Sequence, residues 1–237
     1  MYRSINSEAV VITCGLLQSR IQERFPQSGL NQICKELVTV ASEASAHISE
    51  IQKPHWLIRA GVALALSLGF VTAILLFLSF HGNFGVNDVT DFLQGLEAAI
   101  NLAIFLGLAI YFLITLERRL KRKSAFESLH ELRSIAHVID MHQLTKDPGG
   151  IAGQLPATAS SPERKLSRQE LARYLDYCSE MLSLVSKVAA MYAQGLNDVE
   201  ILSTVDDIES LTNGLASKIW QKILVVNQPA PPATSPG

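Results

Sequence analysis

Half of the histidines in the chain lie within one segment, LHELRSIAHVIDMHQLTKDP, residues 129–148. The imidazoles of His130, His137 and His142, with the carboxylate of Asp140 among them, belong to the residue types that bind transition metals or transfer protons. Two ligands of one metal ion on the same helix, however, need a spacing of three or four residues. His130 and His137 lie about 10 Å apart along a helix axis, and His142 points about 140° away from His137. The spacing therefore argues against a metal site within this helix.

The apolar residues of the same segment define one face of the predicted helix. At about 100° per residue, these side chains share that face: Ala125, Leu129, Leu132, Ile135, Ala136 and Ile139. His130 and His137 point away from it, and Asp140 follows His137 at a spacing where a carboxylate favours the charged imidazolium. We therefore expect His130, His137 and Asp140 to form a polar surface stripe. The stripe is either solvated, presented to a protein partner, or part of a metal site between two molecules.

Two apolar runs precede this helix, and each is long enough to cross a membrane. Residues 57–80 contain one charge, Arg59, near their start, and residues 98–116 contain none. At 1.5 Å per residue, either run spans the hydrocarbon layer of roughly 30 Å as a helix. The first run begins too late to be a cleaved signal peptide, which lies within about the first 15–30 residues. We expect transmembrane helices at 57–80 and 98–116, joined by a short external loop at 81–97.

Basic residues near the two runs predict the orientation. The loop at 81–97 has no Lys or Arg, whereas Lys53 and Arg59 flank the first run. A basic cluster follows the second run: Arg118, Arg119, Lys121, Arg122 and Lys123. Because cytoplasmic flanks carry the excess of Lys and Arg, both termini should be cytoplasmic. We expect the basic cluster to serve as a topology anchor; the alternative is specific recognition of lipid headgroups.

Small residues recur at every fourth position in both runs. The two stripes are Gly61, Ala65, Gly69 and Ala73 in the first, and Gly95, Ala99, Ala103 and Gly107 in the second. Such stripes let helix backbones approach closely in lipid. They predict packing of the two spans against each other within one hairpin, and they are compatible with self-association of several hairpins. Asn101 lies off the second stripe and is available to bond to another helix.

Amphipathic helices are predicted on both sides of the spans. Residues 1–56 hold two of them, with apolar seams at Val10, Cys14, Leu17, Ile21 and Phe25, then Ile33, Leu37, Val40, Ala44, His47 and Ile51. We expect His47 to be a tolerated polar residue on the second apolar seam. Beyond the second span, residues 117–145 contain no helix breaker, so the span should continue as one long helix. The Pro-, Gly- and Ser-containing segment 146–165 predicts a disordered linker.

The last predicted folded element is an αα-hairpin at 166–226. A capping box, Ser167 with Glu170, begins its first helix, and Gly195 with Asn197 separates it from the second. The first helix has a coiled-coil-like seam: Leu171, Leu175, Cys178, Leu182, Val185, Ala189 and Tyr192. The proline-rich residues 227–237 should be disordered. The three cysteines, Cys14, Cys34 and Cys178, lack CxxC spacing and are expected to be small buried hydrophobes.

Three short stretches carry a resemblance to a group of proteins: ERFPQSGL (23–30), KPHW (53–56) and ELRSIAHVIDMHQLTKDP (131–148). Over about the first 150 residues, the chain resembles bacterial inner-membrane proteins with two spans and no known activity. The resemblance implies the bacterial plasma membrane as location. It implies no activity and therefore no site residues.

The sequence favours a non-enzymatic role. It lacks the GxSxG, HExxH, Walker A and GxGxxG patterns, which mark common acyl, metal, phosphoryl and dinucleotide chemistries. No cofactor is expected, and a net charge of −2 argues against a nucleic-acid partner. We expect an all-α, two-span inner-membrane protein whose cytoplasmic helices bind a protein partner or a second copy. The alternative is a small oligomeric pore, or a membrane-perturbing effector, built from several hairpins.

Overall fold

The computed structural model describes residues 4–51, 53, 56–82, 89–146 and 166–228. Within these ranges the chain forms only α-helices, as the sequence predicts. Their bounds are α1 Ser7–Arg24, α2 Gly29–Ile51, α3 Trp56–Gly82, α4 Val89–Leu144, α5 Arg168–Gly195 and α6 Val199–Asn227. Two compact units result: a bundle unit, Met1–Gln52 with Ala125–Gly237, and an apolar unit, Lys53–Ser124. Most of the predicted linker 146–165 and of the predicted tail 227–237 lies outside the described residues, but the predicted start of the tail is wrong, because α6 extends to Asn227.

Helix α4 is a single element of 56 residues. The prediction that the second apolar run continues as one helix to about residue 144 is confirmed. The stretch from Leu108 to Leu144 contains neither Gly nor Pro, the residues that most often end or kink a helix. The predicted loop at 81–97 is wrong in extent, because α3 reaches Gly82 and α4 already begins at Val89. Residues 89–97 interrupt the apolar run with polar side chains but include the good helix formers Leu, Gln and Glu. Polarity ended the apolar run there without ending the helix.

The apolar stretches of the chain are exposed in the structure. Two of them, within Gly29–Leu75 and within Leu93–Leu144, are long and apolar enough to cross a membrane, and their apolar windows are 6% and 0% buried. A core helix of a soluble protein would be mostly buried. The exposed side chains include Leu64, Leu68, Phe70, Phe105, Leu108 and Phe112. Length, composition and exposure together are compatible with a membrane protein.

Helix α5 forms the centre of the bundle unit, since it packs against α1, α2 and α6. All seven seam residues predicted for α5 are buried, and so are Tyr174, Tyr177, Met181, Leu184, Val188 and Met191. The buried surface is therefore much wider than the narrow a/d seam of a coiled coil. A helix that is apolar on most of its circumference is stable only when neighbours cover several sides, and here three other helices do so.

The other core-forming faces follow the predicted periodicity with one shift. All five residues predicted for α1 are buried. In α2 the core also includes Leu30, Cys34 and Ala41, whereas Ile33 is only partly buried. The face of α2 is thus rotated relative to the predicted ladder. On an apolar helix with a 3.6-residue period, two adjacent rows of apolar side chains are possible buried faces, and the helices that pack against it determine which row is buried.

Side-chain caps mark the helix starts of the α5–α6 pair. The Ser167 hydroxyl accepts from the Glu170 N–H at 3.3 Å, and a Glu170 carboxylate oxygen accepts from the Ser167 N–H at 2.8 Å, which confirms the capping box. The predicted cap Asn197 is wrong, because Asp198 Oδ1 accepts from the backbone N–H of Glu200 at 3.0 Å. Asn and Asp cap helices about equally well, so adjacent candidates are not distinguishable from sequence.

Helix α6 also contacts the end of α4. Lys222 Nζ donates to the backbone carbonyl oxygen of Gln143 at 3.0 Å. The last carbonyls of a helix carry partial negative charge, and a cation is favourable there. The ammonium group thereby links the C-terminal helix to the last turn of α4.

The bundle core yields a stability prediction from two leucines. Replacing the fully buried Leu175 by Ala should lower the free energy of unfolding by about 2–5 kcal/mol, because removing most of the buried leucine side chain leaves a cavity. The same change at Leu202, which is 51% exposed, should alter it by less than about 0.5 kcal/mol. Denaturant unfolding of the full chain followed by circular dichroism measures both. Equal effects at the two positions would contradict the assigned core.

Candidate functional site

The histidine segment has the predicted faces. All six apolar residues assigned to the buried side are buried, and His130 and His137 are exposed. The Asp140 carboxylate accepts from Gln143 Nε2 at 2.6 Å, so its closest partner is a buried amide of the same helix. Within the described residues, no group of three or more His, Cys, Asp and Glu side chains could hold a metal ion. A partner for the stripe of His130, His137 and Asp140 stays a prediction.

His142 belongs to the packing of the bundle unit. A Cβ atom at Gly29, the first residue of α2, would collide with the imidazole of His142, so the ring lies directly against the backbone there. Burial lowers the pKa of His142, and the neighbouring Lys146 ammonium lowers it further. Both causes disfavour the imidazolium. His142 therefore acts as a neutral packing group in the folded chain.

A second histidine, His47, lies in a polar cluster that sequence reasoning missed. Its Nδ1 atom is 3.3 Å from the Tyr192 hydroxyl and 3.4 Å from the Ser128 hydroxyl. The His47 and Tyr192 rings meet edge to face, with centroids 6.0 Å apart. The cluster joins α2, α4 and α5. The sequence placed both His47 and Tyr192 on apolar seams, which indicated that each side chain faces the core. Periodicity cannot show that two residues so distant in sequence are in contact.

The three cysteines are fully buried, as predicted. Burial raises the pKa of Cys14 to about 11 and the pKa values of Cys34 and Cys178 to about 12. The thiolate, which is the nucleophile and metal ligand, is therefore almost absent near neutral pH. These thiols serve as core side chains.

Within the described part of the apolar unit, the first small-residue stripe faces the neighbouring helix, whereas most of the second does not. A Cβ at Gly61 would lie 3.7 Å from Leu113 Cδ1, and one at Gly69 would lie 2.5 Å from Leu106 Cδ2. These two pairings run in opposite directions along the sequence, so α3 and α4 are antiparallel where they meet. Around Gly107, by contrast, a Cβ would meet nothing within 4 Å.

The remaining members of the stripes differ in the same way. Ala65 is half-buried, while Ala73 lies on an exposed part of α3. On α4, Gly95 is half-buried and the next members are exposed: Ala99, Ala103 and Gly107. Asn101 is exposed too. The second stripe is thus largely unused by α3, which instead receives leucine side chains of α4.

The basic cluster is not uniformly free to bind headgroups. Arg118 and Arg119 are exposed, whereas Lys121 Nζ lies 2.9 Å from Glu117 Oε1 and donates to the Lys53 carbonyl oxygen at 3.2 Å. Arg122 is half-buried and Lys123 exposed. The exposed arginines are therefore the side chains best placed for an anionic surface.

No protein family, curated protein or solved structure matches this chain. The resemblance to two-span bacterial inner-membrane proteins accordingly stays an expectation from the sequence.

The position of His142 predicts a pH dependence of stability. Because folding lowers its pKa, the unfolded chain binds a proton as the pH falls below about 6.5, whereas the folded chain binds it only at a lower pH. The melting temperature should therefore fall as the pH is lowered from 7 to about 5.5, and less so in His142→Gln. Thermal unfolding by circular dichroism measures this, with His130→Gln as the control for an exposed imidazole. An identical pH profile in wild type and His142→Gln would contradict the assignment.

Proposed function

We propose that this chain is a non-enzymatic integral protein of the bacterial inner membrane, with both termini in the cytoplasm. In this proposal α3 and the apolar part of α4 cross the bilayer, and the bundle unit acts as an interaction and oligomerisation scaffold on the cytoplasmic side. One observation carries the proposal. The single helix α4 contains an apolar window that is 0% buried, and its residues 125–144 contribute to the bundle core.

The distribution of charge supports the orientation. Arg118 and Arg119 are exposed just beyond the apolar part of α4, and residues 81–97 contain no Lys or Arg. Basic flanks remain on the cytoplasmic side during insertion. The three buried, reduced thiols agree with that side of the membrane.

Exposed apolar side chains on the bundle unit support the scaffold role. Ile12 and Leu16 are 56% and 60% exposed one turn apart on α1, and Trp220 and Leu224 are 60% and 51% exposed one turn apart on α6. Met141, close to the histidine stripe, is 65% exposed. Paired apolar side chains, and tryptophan in particular, are enriched where proteins bind each other.

A topology and crosslinking experiment tests this proposal. A cytoplasm-specific reporter fused to either terminus should be active, and the chain should stay in membranes after carbonate washing. A photo-crosslinking residue at Trp220 or Leu16 should yield an adduct with a protein partner or a second copy, whereas one at the exposed, charged Asp206 should not. Recovery of the chain in the soluble fraction would refute the membrane assignment. A monomeric chain without adducts at either position would refute the scaffold role.

A pore or membrane-perturbing effector is the second candidate, favoured by the exposed stripe at Ala99, Ala103 and Gly107. Here two glycines form a matched pair. Gly69→Leu should lower the melting temperature because its side chain collides with Leu106, whereas Gly107→Leu meets open space in one chain and should not. If hairpins assemble through the stripe, Gly107→Leu still abolishes conductance in liposomes. Wild-type liposomes without conductance would rule the pore out.

A further inference from the structure

A cavity of about 190 Å³ lies where α2, α4 and α5 meet in the bundle unit. Its polar lining consists of Glu43 and His47 from α2, Ser128 and Glu131 from α4, and the hydroxyl-bearing Tyr192 from α5. Its apolar lining comes from Val40, Ala44 and Leu132. The polar cluster around His47 is therefore one wall of a space that a small molecule can enter.

The charge of this cavity is negative. Among the described residues that line it there is no Lys or Arg. Glu43 and Glu131 are exposed at its edge, and within the described part of the chain neither forms an ion pair or hydrogen bond. Burial raises the pKa of the fully buried Tyr192, the hydrogen bond with Ser128 lowers it, and the charges of Glu131 and then Glu43 raise it by smaller amounts. The carboxylates of Glu43 on α2 and Glu131 on α4 therefore contribute negative charge to the same cavity.

Size and lining narrow the class of ligand. A cavity of about 150 Å³ holds a benzene-sized molecule, so this one accepts an organic body of similar size with a polar head. A metal ion fits poorly, because the described residues form no cluster of three metal-binding side chains. Carboxylates at the edge and apolar side chains deeper in match a molecule with one cationic end.

We propose that this cavity binds a small organic monocation, with a primary ammonium group at Glu43 and Glu131 and an apolar body against Val40, Ala44 and Leu132. The ammonium forms charge-assisted hydrogen bonds with the carboxylates. The ligand contacts three helices at once and stabilises the bundle unit by binding the folded chain. This site is independent of the proposed scaffold role and does not require a membrane.

Benzylammonium is a suitable probe, because benzyl alcohol has nearly the same shape and no charge. With a dissociation constant of about 1 mM, about 10 mM benzylammonium should raise the melting temperature of the purified full chain by roughly 3–5 °C. Benzyl alcohol at the same concentration should not. Glu43→Gln and Glu131→Gln should each weaken binding about tenfold, as expected for loss of a charge-assisted contact. Glu36→Gln, an exposed α2 position outside the cavity, should bind as wild type does.

A second variant separates the cavity from its charge. Ala44→Leu fills the apolar end and keeps both carboxylates, so it should abolish binding of benzylammonium if the folded chain retains its circular dichroism spectrum. If Ala44→Leu fails to fold, the glutamine variants decide alone. The proposal is overturned by any of three results: no shift with benzylammonium, an equal shift with benzyl alcohol, or unchanged affinity in both glutamine variants.

Discussion

The rest of the structure depends on the continuity of α4. One unbroken helix of 56 residues has to be exposed and apolar in its first part and amphipathic in its last part, where residues 125–144 complete the bundle core. No Gly or Pro interrupts it beyond Gly107, so every interior backbone N–H keeps its helical acceptor. Its residues up to Ser124 belong to the apolar unit, and its last part, residues 125–144, belongs to the bundle unit.

Helix α5 plays the corresponding part within the bundle unit. Its thirteen buried residues need partners on several sides, and α1, α2 and α6 supply them. This arrangement explains why polar side chains at the junctions, such as His47 beside Tyr192, are paired with hydroxyls rather than excluded. A buried polar group without a partner costs about 1–3 kcal/mol. The same packing leaves a small cavity at the α2–α4–α5 junction, with the exposed carboxylates of Glu43 and Glu131 at its edge.

Local patterns in the sequence were sufficient for the helices and for most buried faces. The period of α1, the capping box at Ser167 and the outward direction of His130 and His137 all depend on residues within a few turns, and all three were predicted. Features that depend on distant residues were not. Neither the His47–Tyr192 contact nor the choice of Leu106 over the Gly107 stripe as the surface facing α3 has a local signature. The extent of the loop before α4 was misjudged because polarity and helix propensity disagree there.

The bundle unit is discontinuous in sequence, and this has a consequence for the order of events during synthesis. Helices α1 and α2 leave the ribosome first, but residues 125–144 of α4 and the whole of α5 follow only after Lys53–Ser124 has been translated. At about 5–20 residues per second, this delay lasts several seconds. During that time α1 and α2 can pack against each other but lack their shared partner α5. In the nascent chain, chaperone binding or premature association therefore competes with folding.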